Sequence, residues 1–502
     1  MPKRTAVIDI GSNSARLVIF QRSSRFGFHL ICEQKSKVRI GEGAYSKGGY
    51  LQPIGIKRAY YALQSFVQTI KKYHVKKTLC VATSALRDAP NGRAFIEFIR
   101  RELKLSIKII DGNEEAMLGA IATTNLLPIR DAITIDIGGG SCDLALIRSG
   151  HILQTHTLNI GTVRIKELFF DNNSSIAIKK AREYISRELE TLPTIFRGDI
   201  AVGIGGTART LSRGVMKRHN YPLNKLHAFS YNPYDEFEYF EQIINSTPST
   251  LQRLFIKKGR YDTIKEGGLI FVEILKKIGV KELISSGVGV REGVFLKDLL
   301  RNSRYRFPAT LNPSIISILD RFDTLTPSDS KASHRIDIAS ALYDIYSREF
   351  GLDRDYQYML NQSLRLSNIG KILTIYSAKK HAFYISMEEL NFGFTHKEML
   401  LISFLLHKHG NSLLNKTLFE RYKSLLPPKS QLKALNSIFA ISILLHENSN
   451  SADIKFVYED NILTIISNQS LYHAKESIRL LDKLYLSDII FEDRDDSLDF
   501  RL

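Results

Sequence analysis

Three cysteines in 502 residues, Cys32, Cys80 and Cys142, are too few and too far apart for a disulfide framework. None stands in a Cys-x-x-Cys pair of the kind used for zinc or redox chemistry, so they read as reduced thiols. No run of about 18 apolar residues occurs, and no membrane span is expected. Met1-Pro2-Lys3-Arg4 enters the first apolar segment without a leader-like stretch and cleavage site, so no secretory signal is expected and the chain is placed in the cytoplasm. Zinc-finger spacing is absent, as is a platform of interleaved aromatic and basic residues for single-stranded nucleic acid. The sequence is also not of the disordered kind: 44 % hydrophobic and 24 % charged residues describe a folded protein. The length leaves room for three or four domains.

What is present in excess is positive charge. Seventy Lys and Arg face 52 Asp and Glu, a formal net charge of +18. The basic residues are spread along the chain rather than gathered in a tail, and the extreme C-terminal stretch Glu492-Asp493-Arg494-Asp495-Asp496 is acidic. Such a protein attracts polyanions in general: nucleic acid, inorganic polyphosphate, nucleotide phosphates. Composition does not choose among them.

Two loops do. Ala6-Val7-Ile8-Asp9-Ile10 runs into Gly11-Ser12-Asn13-Ser14, and Ile133-Thr134-Ile135-Asp136-Ile137 runs into Gly138-Gly139-Gly140-Ser141-Cys142-Asp143. Each places an aspartate near a strand's end, then small residues whose backbone N–H groups can approach an anion unobstructed. A tight turn needs only one or two such residues and no aspartate at a matching offset. Two of these loops, each opening a strand run, indicate similar half-domains facing each other across a phosphate. The arrangement resembles the actin/sugar-kinase/heat-shock-ATPase superfamily. Further motifs follow: Ala82-Thr83-Ser84-Ala85-Leu86-Arg87-Asp88-Ala89, Asp111-Gly112-Asn113-Glu114-Glu115-Ala116, Gly161-Thr162-Val163-Arg164, Gly205-Gly206-Thr207-Ala208-Arg209, Leu226-His227-Ala228 and Arg291-Glu292-Gly293. In this order and spacing, over about residues 5 to 300, the set resembles the exopolyphosphatase/guanosine pentaphosphate phosphatase family.

The expected fold is α/β: two actin-like (ribonuclease H-like) half-domains, residues 1–121 and 122–300, with a phosphate cleft between them. Within the first, Thr5–Ile10, Arg16–Gln21 and Phe28–Lys37 read as strands, Tyr60–Tyr73 as a helix, Thr78–Thr83 as a strand and Gly92–Leu103 as a helix. The second repeats the pattern with a strand pair over 133–147, His151–Leu158, a helix over Ile176–Leu192, the strand Ile200–Ile204, a helix after Gly205-Gly206, and Leu283–Ser286. From about residue 303 to 450 the chain becomes Leu/Ile-rich and helical, over His334–Tyr346, Tyr356–Tyr376, Lys397–His409 and Ser430–His446. This stretch weakly resembles the all-helical HD-type domain of many family members. Residues 451–502, strand-like over Ile454–Asn468, form a small α+β appendix.

The resemblance assigns roles. Gly11, Ser12, Asn13, Ser14, Gly138, Gly139, Gly140 and Ser141 are the phosphate cradles. Glu115 takes the place of the general base that deprotonates water in line with the terminal phosphorus; Glu114 is structural, and without the resemblance both glutamates would read as solvated acids at a helix start. Arg87 grips the scissile phosphate bidentately, or else pairs with Asp88 or Glu102. Arg16, Arg164 and Arg291 are lesser candidates. Asp9, Asp136 and Asp143 are candidate ligands for Mg²⁺, with Mn²⁺ as substitute. Here the chain departs from the family, which usually has Ser-Thr-Glu where Ser141-Cys142-Asp143 stands; the shorter Asp143 holds the ion through water, or is a turn residue. Gly205, Gly206 and Thr207 border the substrate path or simply turn strand into helix.

In the helical region a metal centre is not expected. The positions of a His-Asp pair hold Ser367-Asn368, the first histidine position holds Asp337, and His381 and His407 cannot make a two-metal site. The resemblance implies a hydrolase that removes the terminal phosphate from inorganic polyphosphate, guanosine pentaphosphate or both, with no membrane or nucleic-acid substrate and with a homodimer as a plausible assembly. Two rivals remain: an ATP-dependent kinase or ATPase of the same superfamily, and a catalytically weak sensor of polyphosphate or alarmone.

Overall fold

The computed structural model describes residues 3–44, 48–170, 176–323, 330–407, 416–447, 454–481 and 486–492. They divide into two compact units, Met1–Pro313 and Ser314–Leu502.

The first unit carries two sheets of matching construction. In one, β1 (Arg4–Ile10), β2 (Ala15–Arg22) and β3 (Phe28–Ser36) are antiparallel, and β4 (Lys77–Ala82) and β5 (Lys108–Ile109) join β1 in parallel, giving the order β3-β2-β1-β4-β5. In the other, β6 (Ala132–Ile137), β7 (Cys142–Arg148) and β8 (His151–Leu158) repeat the antiparallel triple. β9 (Ile200–Ile204) and β11 (Glu282–Ser285) extend it in parallel, and β10 (Ser230–Tyr231) closes the order β10-β11-β9-β6-β7-β8. The central strands are apolar at nearly every position because both sheet faces are covered: Ala6, Val7 and Ile8, like Ile133 and Ile135, are wholly buried.

The strands lie within a residue or two of the sequence expectation, and the helix expected over Tyr60–Tyr73 begins earlier, at Pro53, a residue suited to a first helical turn. The helix Gly112–Leu126 gave no periodic signal because Leu118 to Thr123 are all buried, so it has no polar stripe.

In the second unit the helices Ser330–Phe350, Arg354–Arg365, Ala378–Glu389, His396–His407 and Lys429–Glu447 dominate. The single helix expected over Tyr356–Tyr376 is in fact broken. It stops at Arg365, a short turn follows at Ile369–Ile372, and Ser377 adopts φ 57° before the next helix. Gly370 explains the break: its Cα lies against the Ala378 carbonyl, where a Cβ could not fit. His409, expected at a helix end, lies outside the described residues. Ser367 receives a hydrogen bond from Arg335 (Nη1 to Oγ, 2.6 Å). β12 (Ile454–Glu459) and β13 (Ile462–Ser467) form a hairpin turned by Asp460 and Asn461, both at positive φ, and β14 (Asp488–Glu492) runs parallel to β13. No described helix is long and apolar enough to cross a membrane.

Candidate active site

The two glycine–serine loops occupy equivalent places. Gly11 N donates to Ser14 O (3.1 Å) between β1 and β2, and Gly138 N to Ser141 O (2.9 Å) between β6 and β7. The loops touch each other: a Cβ on Gly139 would stand 2.7 Å from Ser12 Cβ. Ser12 Oγ lies 3.0 Å from Ser84 Oγ, tying the first loop to the helix Ser84–Asp88. Across the strands the register pairs Asp9 with Arg16 and Asp136 with Asp143. Cross-strand partners share a sheet face, so duplication has put a cation beside one aspartate and a second carboxylate beside the other.

Four carboxylates are thereby gathered in a small, buried space. The helix Gly112–Leu126 starts at Asp111, whose Oδ1 accepts the Glu114 N–H (2.7 Å). Its first turn aims the two glutamates apart. Glu114 pairs with Lys108 (2.7 Å) and Lys297 (2.9 Å), while Glu115 faces inward, its Oε2 buried without a hydrogen bond and 4.0 Å from Arg87 Nη1. Asp143 accepts from Ser141 Oγ (3.2 Å) through Oδ2, and its buried Oδ1 lies toward the Thr157 hydroxyl of the facing strand β8, which with Ser141 opposes the upward push of burial. Burial, then the charges of Asp143, Asp136 and Asp9, push the Glu115 carboxyl well above the usual range. Burial likewise raises Asp9, Asp143 and Asp136, the last to about 6, with Arg209 opposing. Among the described residues no group of three or more His, Cys, Asp or Glu is arranged as a ready metal-binding cluster.

A cavity of about 380 Å³ opens over these groups. Asp9, Gly11 to Ser14, Glu115, Asp136, Gly138, Gly139, Ser141 and Gly205 to Thr207 all line it. Gly140, Asp143 and Arg87 stand behind the lining. Gly140 O accepts from Arg164 Nε (2.9 Å). Arg87 holds Asp88 (3.1 Å) and the Ile110 carbonyl (3.3 Å) while flanking Glu115. Gly205 turns β9 into the helix Gly205–Arg218 at φ +82°, and a Cβ there would press on Asp136 Oδ1.

The cavity also holds residues that sequence reasoning missed. Six cations line it against three acids: Arg16 and Arg291, already candidates from the sequence, and Lys35, Lys37, Arg209 and Arg260, which were not. Lys35 and Lys37 follow Glu33 at two-residue spacing along β3 and just beyond it, a signal available from strand alternation. Arg209 sits inside the Gly205-Gly206-Thr207-Ala208-Arg209 motif, and Arg260 carried no signal. Arg209 donates to the carbonyls of Gly205 (2.8 Å) and Gly287 (3.0 Å); burial and the nearby Arg16 and Arg291 push it down to about 10. Partial burial and the crowding of Arg16, Arg260, Arg209 and Lys37 push Lys35 down to about 8. Such mutual repulsion is relieved when an anion enters.

The sequence profile of the Ppx/GppA phosphatase family matches residues 18–302, more than half of the chain. The chain belongs to that family. Exopolyphosphatase 2 of Mycobacterium tuberculosis is 27 % identical over 313 residues, which is 58 % of this chain and 98 % of the relative. The guanosine-5'-triphosphate,3'-diphosphate pyrophosphatase of Photobacterium profundum is 24 % identical over 451 residues, 88 % of this chain and 85 % of its own length. The match to a bifunctional 3-dehydroquinate synthase/phosphatase of Fusobacterium nucleatum, 31 % identical over 56 % of this chain, spans only 44 % of that longer protein. The crystal structure of the Aquifex aeolicus Ppx/GppA family member superposes with a TM-score of 0.52 at 27 % identity, over 60 % of this chain and 99 % of that one. In the present family member the second sheet, the Gly138–Ser141 loop and Glu115 fall inside the matched residues 18–302, whereas β1 and the Gly11–Ser14 loop precede them.

Proposed function

We propose that this Ppx/GppA phosphatase removes the terminal phosphate from inorganic polyphosphate, guanosine pentaphosphate or both. One observation carries the reading: a single cavity unites two matched phosphate cradles, the inward-facing Glu115 and an excess of cations. The N–H groups of the Gly11–Ser14 and Gly138–Ser141 loops hold the terminal phosphoryl oxygens. Glu115 takes the proton of a water whose oxygen bonds to the terminal phosphorus as the bridging P–O bond breaks, and the shortened phosphate chain leaves as the anion. Arg87, beside Glu115, swings onto the phosphate or orients the glutamate.

Asp9, Asp136 and Asp143 are oxygen donors with raised pKa values but do not form a ready three-ligand cluster, so a divalent cation would be held by one or two of them together with water and phosphate oxygens. Bound there, Mg²⁺ or Mn²⁺ would offset the mutual repulsion of the carboxylates and polarise the phosphate. The enzyme would work in a cytoplasm with its cysteines reduced, as a homodimer by family resemblance. An ATP-dependent kinase or a weak sensor is disfavoured by the inward carboxylate. Phosphate release from polyphosphate and from guanosine pentaphosphate, with Mg²⁺, with Mn²⁺ and with chelator, is the test. Metal-dependent release from either substrate supports the reading, and release from neither overturns it.

A further inference from the structure

The motif Leu226-His227-Ala228 has no task in the chemistry above. It stands just before β10, and the Ala228 N–H donates to the Ser285 carbonyl of β11 (3.0 Å). The His227 ring is thereby set against the loop of residues 286–289, and both of its nitrogens are engaged. Nδ1 lies 3.0 Å from the Gly287 amide nitrogen, and Nε2 lies 2.9 Å from the Leu126 carbonyl oxygen. A backbone N–H can only donate and a carbonyl can only accept. Nδ1 is therefore the bare nitrogen and Nε2 carries the proton, so the two contacts fix one tautomer of an uncharged imidazole.

Each partner belongs to an element of the candidate site. Leu126 ends the helix whose first turn delivers Glu115, and its carbonyl is one of the last four that a helix leaves unpaired. That helix has other supports. Leu118 to Thr123 are buried, and the Leu118 carbonyl lies against Gly293 of the helix Val290–Leu299, where a Cβ could not fit. Gly287 has no side chain to brace its turn, and its one N–H goes to the His227 ring. At its carbonyl Gly287 accepts from Arg209 Nη1 (3.0 Å), while Arg209 Nε donates to the Gly205 carbonyl (2.8 Å). The remaining nitrogen, Nη2, has no hydrogen-bond partner among the described residues, and Arg209 lines the cavity. One glycine thus joins the histidine to a guanidinium that faces the substrate space.

We propose that His227 is a positioning residue of this enzyme: its Nδ1 holds the Gly287 turn and, through the Gly287 carbonyl, sets the Arg209 guanidinium in the cavity. A donor aimed at an anion is effective when it is in place beforehand, because no reorganisation is then needed. The bond to Leu126 has the secondary task of keeping the proton on Nε2, so that Nδ1 stays an acceptor. The inference rests on the phosphohydrolase reading only for the reaction that the guanidinium serves.

Two amide variants separate the two bonds. His227→Asn places an oxygen near the position of Nδ1, so Gly287 can still donate, but it falls short of Leu126. His227→Gln places an N–H near the position of Nε2, so Leu126 can still accept, but it leaves the Gly287 N–H unpaired. With sodium tripolyphosphate and Mg²⁺, His227→Gln should raise KM about fivefold to tenfold, the worth of one hydrogen bond, and change kcat less than about twofold. His227→Asn should stay within about twofold of wild type in both. In a Glu115→Gln background that prevents turnover, calorimetry should show the same order: tripolyphosphate binding weakened by His227→Gln and kept by His227→Asn. In wild-type protein with ¹⁵N-labelled histidine, the His227 signal, assigned by its loss in His227→Asn, should show the proton on Nε2. Equal losses in both variants would mean that His227 only maintains the fold, and an unaffected His227→Gln would remove the link to Arg209. A proton on Nδ1 would leave Gly287 nothing to donate to; each of these results overturns the proposal. Absence of phosphate release by the wild-type enzyme would defeat the phosphohydrolase reading alone, since the binding and resonance measurements still decide the role of His227.

Discussion

Glu115 and Glu114 are adjacent and chemically identical, and the first turn of one helix sends them to opposite fates. Glu114 is spent on two lysines, whereas Glu115 has an unpartnered buried oxygen. Glu115→Gln should therefore lower kcat by ~10²–10⁴-fold with little change in substrate binding; retention of more than about a tenth of kcat would remove it as base. Asp143 is tested by metal titration. Asp143→Ala should raise the Mg²⁺ needed for half-maximal activity, and Asp143→Asn should match it if charge is what counts. Unchanged Mg²⁺ dependence in both leaves Asp9 and Asp136 to hold the ion. A third acid offers a pH experiment away from the loops. Glu266, 5 % exposed near the start of the helix Ile264–Ile278, has an unpartnered Oε2, and burial pushes it up to about 7. The native state thus keeps a proton that the unfolded chain releases above about pH 4.3, so stability falls as pH rises from there to about 7. Glu266→Gln should flatten that slope, which amounts to roughly 4 kcal/mol; an unchanged denaturation profile between pH 5 and 8 would refute it.

At the level of elements, what could be read from the sequence was what repeats. The strand–loop–strand pairs announced themselves because Asp9 and Asp136 precede glycines at the same offset, and both apolar strands are buried on two faces. The helix that delivers Glu115 did not, because burial all round erased its periodicity; that glutamate was found through its motif. The cationic lining was only partly legible. Lys35 and Lys37 alternate along one strand end, but Arg260 is brought to Gly206 by tertiary packing that no local pattern encodes. The break after Arg365 was missed because apolar spacing runs through it, while the deciding contact is Gly370 against Ala378. The β9-to-helix turn also carries a prediction. With φ at +82° and Asp136 Oδ1 occupying the space a Cβ would take, Gly205→Ala should cost about 1–3 kcal/mol of stability and disturb the carboxylates. A thermal melt and a Mg²⁺ titration together check it: an unaltered melting temperature with unaltered metal response would contradict the geometry.

For the whole molecule, the division at residues 313 and 314 has a counterpart among the relatives. The mycobacterial protein and the Aquifex structure are matched over almost their full length by about three-fifths of this chain. Residues 1–313 should accordingly fold alone and hydrolyse short phosphate chains. If the helical unit adds purchase on a long polyanion, its removal should weaken long-chain polyphosphate use more than tripolyphosphate use. Equal losses on both substrates would leave that unit a stabilising role only.

The contact between Ser12 and Gly139 has one more consequence. Where the two cradles meet, the pocket has a floor, and a polymer can be offered to a floored socket only by its tip. Molecular topology, rather than charge or length, then becomes the sorting criterion. Trimetaphosphate is a closed ring of three phosphates with no tip, whereas tripolyphosphate has two. At equal concentration the ring should be inert while the linear trimer is cleaved. Comparable phosphate release from both would mean that the loops part widely enough to take a chain by its middle.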